Sequence, residues 1–197
     1  MYKIACIMGK SATGKDHIYK ALLGDETLGL RKVIMYTTRP MREGECDGVE
    51  YYFTDDAHAD KLADEGRIIE MRTYNTVYGP WKYFTADDGQ IDLQNGRYLV
   101  IGTLEAYLKY VKYYGKDVVM PIYIETEDGI RLERAIERER SQKVPKYKEM
   151  CRRFIADCED FSEENLRAGG IDVRYENNGD IQDCIEKIKA DLMSSMQ

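Results

Sequence analysis

Seven residues near the start of the chain, Gly9-Lys10-Ser11-Ala12-Thr13-Gly14-Lys15, have the spacing G-x-x-x-x-G-K. They follow the apolar run Ile4-Ala5-Cys6-Ile7-Met8 and open a segment of helical period. In that context the glycines let the backbone wrap an anion with its N–H groups, the helix N-terminus adds positive potential, and the lysine reaches the outer phosphates. Gly9, Ser11, Ala12, Thr13, Gly14 and Lys15 are therefore expected to hold a nucleoside triphosphate, with Mg²⁺ beside its phosphates. Asp16 stands where the motif asks for a Ser or Thr hydroxyl on the metal. A carboxylate is itself an oxygen ligand for Mg²⁺, which makes Asp16 the candidate metal residue.

A second anion-binding pattern lies at residues 37–53, Thr-Thr-Arg-Pro-Met-Arg-Glu-Gly-Glu-Cys-Asp-Gly-Val-Glu-Tyr-Tyr-Phe. Arg39 and Arg42 share a turn-rich loop, and each guanidinium can fork onto two oxygens of a phosphate monoester. A third lies between Arg131 and Arg153, where nine basic residues face four acidic ones in a chain of net charge −7. Such a stretch is either a solvated, ion-paired helix or a face for anionic ligands. The overall negative charge argues against a general nucleic-acid surface. Five cysteines without a C-x-x-C pair read as reduced thiols, and Cys151, Phe154, Cys158 and Phe161 have the spacing of a core-facing helix stripe.

The elements that must position these residues alternate between strand-like and helix-period runs, the pattern of βαβ units around a mostly parallel sheet. Core strands are expected at 2–8, 98–101, 118–124 (weakened by Pro121) and 171–175, with helices at 15–23, 104–114, 127–140, 148–166 and 181–193. Between the first helix and the strand at Tyr98 the texture changes. Aromatic-rich strands at 49–53, 68–74 and 81–84 and a short helix at 55–64 form an inserted lobe of mixed strands. The fold class is thus α/β, of the phosphate-loop NTPase type. No apolar run approaches the roughly 20 residues of a spanning helix, and the first residues show no signal-peptide pattern. The expectation is a cytoplasmic chain acting on small-molecule nucleotides, away from membranes and nucleic acid.

The stretch at 37–53 closely resembles the guanylate kinase signature T-T-R-x-x-R-x-G-E-x-x-G-x-x-Y-x-F, and the order of segments follows that family over nearly the whole chain. The resemblance implies one domain, with a core at 1–34, 96–128 and 154–197, an acceptor-binding lobe at 35–95 and a helical lid at 129–153. It implies that Arg39, Arg42, Tyr51 and Tyr78 hold the acceptor phosphate and that Glu70 accepts hydrogen bonds from a guanine edge. It also implies that Arg134, Arg138 and Arg153 join Lys15 in clamping the transferred phosphoryl group. The activity implied is ATP-dependent phosphorylation of a nucleoside monophosphate, GMP or dGMP in the first instance.

Five positions depart from the family pattern. Met35 replaces a serine beside the purine, Pro80 replaces a small hydroxyl residue, Ile101 and Thr103 replace two aspartates at a strand end, and Asp16 alters the phosphate loop. The acidic charge lost at 101 and 103 is compensated at Asp16 on this reading. Two alternatives stay open: a kinase for another phosphate acceptor, and a catalytically weak module of this family that binds phosphopeptides.

Overall fold

A computed structural model describes residues 1–76 and 79–195, which form two sheets and seven α-helices. The core sheet is parallel throughout. Its five strands, β1 (Ile4–Met8), β2 (Leu30–Lys32), β7 (Arg97–Gly102), β8 (Val119–Glu125) and β9 (Arg174–Glu176), lie in the order β2-β7-β1-β8-β9. All five residues of β1 are buried, as expected when both faces of a parallel sheet are covered. Side chains alternate between faces. Ile4, Cys6 and Met8 pack with α3 (Leu104–Tyr114), while Ala5 and Ile7 pack with α1 (Lys15–Gly24) and α7 (Ile181–Ser195). Burying each such Ile contributes about 1.5–3 kcal/mol, so the sheet holds the loops at its carboxyl edge in fixed register.

The lobe sheet is mixed, in the order β4-β3-β6-β5, from β3 (Tyr36–Thr37), β4 (Tyr52–Phe53), β5 (Ile68–Thr76) and β6 (Gly79–Ala86). Helix α2 (Asp56–Asp64) covers it through Ala59 and Leu62, packed on Phe84 and Ala86. The lobe is seated on α3, where Lys109 Nζ donates to Met71 O (2.9 Å) and Tyr110 OH donates to Thr85 Oγ1 (3.0 Å).

Several expectations change in detail. The single helix expected at 148–166 is two, α5 (Tyr147–Asp160) and α6 (Glu163–Ala168), because Ser162 caps a new helix by accepting from Asn165 N. Of the stripe expected at Cys151, Phe154, Cys158 and Phe161, only Phe161, the C-cap of α5, is buried; Phe154 and Cys158 are half-buried and Cys151 is exposed. The face of α5 that carries Phe154, Asp157 and Cys158 turns to Arg131 and the phosphate loop, as described below. The last core strand is shorter than expected and begins at Arg174. Pro121 fits β8 because β9 pairs only with Tyr123, Ile124 and Glu125, so no ladder bond from β9 requires its missing N–H. The short β2 and β3 and the 3₁₀ turn at Glu26–Leu28 were not expected. Among the described residues no helix is long and apolar enough to cross a membrane.

Candidate active site

The phosphate loop leaves β1 and enters α1 at Gly14, the N-cap, which has φ 85° and contributes no side-chain cap. The first-turn amides of α1 are thereby left for an external anion. Both glycines are fixed by their neighbours. A Cβ at Gly9 would lie 2.6 Å from Ile124 O, and one at Gly14 would lie 2.6 Å from Asn177 Nδ2. The buried Thr13 hydroxyl donates to Lys10 O at 3.0 Å and closes the loop on itself. Lys15 Nζ also reaches Lys10 O, at 3.4 Å. Burial pulls the Lys15 pKa below its ordinary value against the opposing charges of Asp16 and Asp157, with Arg138 and Arg153 adding to the depression. Two of the three expected arginines thus bear on Lys15. The third, Arg134, donates to Asn177 O at 3.1 Å, and Asn177 Nδ2 in turn donates to Thr13 O at 2.7 Å. Arg134 braces the loop through Asn177.

Two residues absent from the sequence expectations grip the loop from behind. Asp157 on α5 accepts from Ser11 N at 2.7 Å. Arg131 on α4 (Asp128–Arg140) is fully buried, donates to Ser11 O (3.1 Å) and Asp128 Oδ1 (2.6 Å), and lies 4.4 Å over the Phe154 ring. In sequence Arg131 is one of nine basic residues, and nothing in its spacing marks it for burial.

In the lobe, Arg39 is buried and held by Glu45, with Nη1 to Oε2 at 3.0 Å and Nη2 to Oε1 at 2.8 Å, and it lies 5.6 Å from the Tyr51 ring centroid. Glu45 also accepts from Arg42 N at 2.7 Å, so one carboxylate shapes the whole arginine loop. The Arg42 side chain is exposed. Tyr51 is half-buried, and burial pushes its hydroxyl pKa up. It lines a cavity of about 160 Å³ with Met35, Glu70, Ile101 and Gly102. Glu70 is buried on β5, and burial raises its pKa against the neighbouring Arg72. The Arg72 guanidinium meets it in two hydrogen bonds, Nε to Oε2 at 3.1 Å and Nη2 to Oε1 at 3.4 Å. The expected Tyr78 lies outside the described residues.

The two regions adjoin at the carboxyl edge of the core sheet. Ile7 pairs with Ile101 and Met8 with Gly102, so the cavity wall is one strand, about 5 Å, from the strand that launches the phosphate loop. Open parallel sheets bind ligands at this edge.

A protein-family model described as guanylate kinase matches residues 1–84. Over that stretch, which is less than half of the chain, the sequence is similar to guanylate kinases. Similar curated proteins include the guanylate kinase of Symbiobacterium thermophilum, 35% identical over 116 residues, which is 59% of this chain and 44% of the relative. The guanylate kinase of Mycoplasma pneumoniae is 32% identical over 120 residues, 60% of this chain and 48% of the relative. The chain spans less than half the length of these relatives in its matches. Among solved structures, guanylate kinase from Anaplasma phagocytophilum superposes with a TM-score of 0.63 at 21% identity, covering 98% of this chain and 85% of that one. That likeness concerns the fold.

The departures from the guanylate kinase pattern have local causes. Thr103 is the N-cap of α3, accepting from Ala106 N at 3.2 Å, a role that Asp also fills but which leaves no charge at the strand end. Ile101 and Met35 turn the cavity wall apolar. Among the described residues no three His, Cys, Asp or Glu side chains group to hold a metal. Mg²⁺ at nucleotide sites needs only one or two carboxylates beside phosphate and water oxygens, so exposed Asp16 in the first turn of α1 fits as a single protein ligand.

Proposed function

We propose that this protein transfers the terminal phosphoryl group of ATP to a purine nucleoside monophosphate, GMP or dGMP first among candidates. The observation that carries this is the adjacency just described, a phosphate loop and a cavity bearing Glu70 and Tyr51 on neighbouring strand ends. Phosphoryl transfer asks the protein for position and positive charge more than for covalent chemistry. The loop amides and Lys15 would hold the donor phosphates, with Arg138 and Arg153 adding charge around Lys15. Arg42, exposed on the loop that Glu45 shapes, and Tyr51 would meet the acceptor phosphate. Asp16 would hold Mg²⁺, which supplies neutralisation of the donor phosphates. An ionised acceptor phosphate needs no general base.

The test is a panel of monophosphate acceptors with ATP and Mg²⁺, followed by coupled detection of ADP. GMP or dGMP turnover is expected. ADP release only with a non-nucleotide phosphate, or no release alongside tight phosphopeptide binding, would replace this reading.

A further inference from the structure

Three cationic residues meet at the end of the core sheet opposite the phosphate loop. Lys3 immediately precedes β1, Arg31 lies in the middle of β2 and Arg97 opens β7, and all three line one cavity of about 430 Å³. The register accounts for the meeting. These strands are neighbours in the order β2-β7-β1, with Arg31 paired to Tyr98 and Tyr98 to Ile4, so the three residues stand at nearly one level of the sheet. Lys3 and Gly9 bracket β1, whose rise of about 3.3 Å per residue puts the cavity roughly 20 Å from the phosphate loop.

Among the described residues, none of these three side chains donates a hydrogen bond or forms an ion pair. The acids nearby are committed or outnumbered. Asp92 spends Oδ1 on Gln94 N (2.9 Å) and Oδ2 on Asn95 Nδ2 (2.8 Å), and Arg31 acts on it through space. Asp25 is held by Thr27 and Lys189. Glu26 is the one acid in the lining, so three cations and one carboxylate leave a net +2 there in a chain of net −7. The backbone adds a donor. A Cβ at Gly96 would lie 2.5 Å from Tyr98 OH, which keeps this turn bare, and the Gly96 N–H meets no acceptor among the described residues. Like charges gathered without counterions repel one another and concentrate a field on the space they line.

We propose that this cavity is a second anion site, which takes a small polyanion of the di- or triphosphate class. Arg31 and Arg97 can each fork onto two phosphate oxygens, and Lys3 supplies a point charge between them and β1. A single carboxylate or halide would answer one cation and leave two; adjacent phosphate groups answer all three. The one large apolar side chain in the lining, Leu28, is itself buried in the core, so the walls offer no surface to an acyl chain or a ring. Recognition therefore ends at the phosphates, whether they belong to an inorganic chain or to a nucleotide. The site stands apart from the proposed transfer centre and does not depend on that reading.

The experiment is an amide-resolved NMR titration of the full chain with tripolyphosphate and, separately, with GTP. Saturable shifts are expected at Gly29 and Gly96, with a dissociation constant distinct from that read at Gly14 in the phosphate loop. The double variant Arg31→Gln/Arg97→Gln should weaken the Gly29 and Gly96 response about thirtyfold and leave the Gly14 constant within about twofold. Its melting temperature without ligand should match the native one, because the two side chains bond to nothing in the chain. Lys3→Gln, a milder change should the double variant fold poorly, should weaken the response about threefold. Equal affinity for the two probes would assign recognition to the phosphates alone, and a tighter constant for GTP would point to a nucleotide as the source. No saturable shift at Gly29 and Gly96 with tripolyphosphate up to about 10 mM, or an unchanged constant in the variants, would overturn the site.

Discussion

The phosphate loop and the lobe both present positive potential, but they are built by opposite means. The loop uses backbone amides, and its shape is imposed by contacts that leave no room for a Cβ at Gly9 or Gly14. The lobe uses side chains, and its cations are held by acids: Arg39 by Glu45, Arg72 by Glu70, and Lys82 by Asp56 and Asp60. A buried guanidinium must be paired, because desolvating an isolated charge costs far more than a hydrogen bond returns. A backbone N–H at a helix start needs no such partner. The loop therefore has one carboxylate to displace, Asp157 at Ser11 N, while the lobe must redistribute buried ion pairs to receive an anion.

The sharpest way to break this contrast is Lys15→Met. Transfer should fall about 100- to 1,000-fold, while the melting temperature stays level or rises because a half-buried, partly desolvated ammonium has been removed. Activity within tenfold of native would mean that the loop does not hold the donor. Gly9→Val tests the imposed shape. Its Cβ would meet the Ile124 carbonyl, so a denaturant midpoint lowered by the equivalent of about 1–3 kcal/mol is expected, with no change as the failing result. Asp16→Ser restores the usual loop hydroxyl, and if Asp16 carries the metal, transfer at saturating Mg²⁺ should drop roughly tenfold. An equal or faster rate would assign the acid to the helix dipole alone.

The smallest expected effect belongs to the lobe's acids. Hydrogen bonds from Arg39 and from Arg42 N hold the Glu45 carboxyl below its ordinary pKa of 4.5. A depressed folded-state pKa contributes stability that is full above 4.5 and fades as the pH falls through the lower, folded value. Acid should therefore loosen the arginine loop, read as faster amide exchange at Arg42, whose N–H Glu45 accepts, below about pH 4. Glu45→Gln should flatten that dependence and leave the phosphate-loop amides unaffected.

The same contrast explains what the sequence could reveal. Gly9, Gly14 and Lys15 were legible because the loop's function resides in its backbone, and the residue types that permit that backbone are few. The three-layer core was legible from β1, whose five apolar residues admit one arrangement. The break before α6 was less visible, because Ser162 can sit inside a helix and acts as a cap only where packing of Phe161 ends α5. Arg131, Asp157 and Arg72 were missed for a related reason. Each looks like surface charge in sequence, and each acquires its role from a partner two or more elements away or from the burial of a neighbour. The lid and core boundaries expected from the family order are positional expectations of the same kind, and cleavage between residues 129 and 153 upon nucleotide removal is the measurement that checks them.

Asp157 has one more consequence. Ser11 N–H can satisfy a single strong acceptor, and a carboxylate from α5 already occupies it at 2.7 Å. Any phosphate oxygen that takes this amide evicts that carboxylate, and α5 loses its direct tether to the loop in the same exchange. Arg131, which bonds Ser11 O and lies over Phe154, is then what still joins the loop to the helix bearing Arg153.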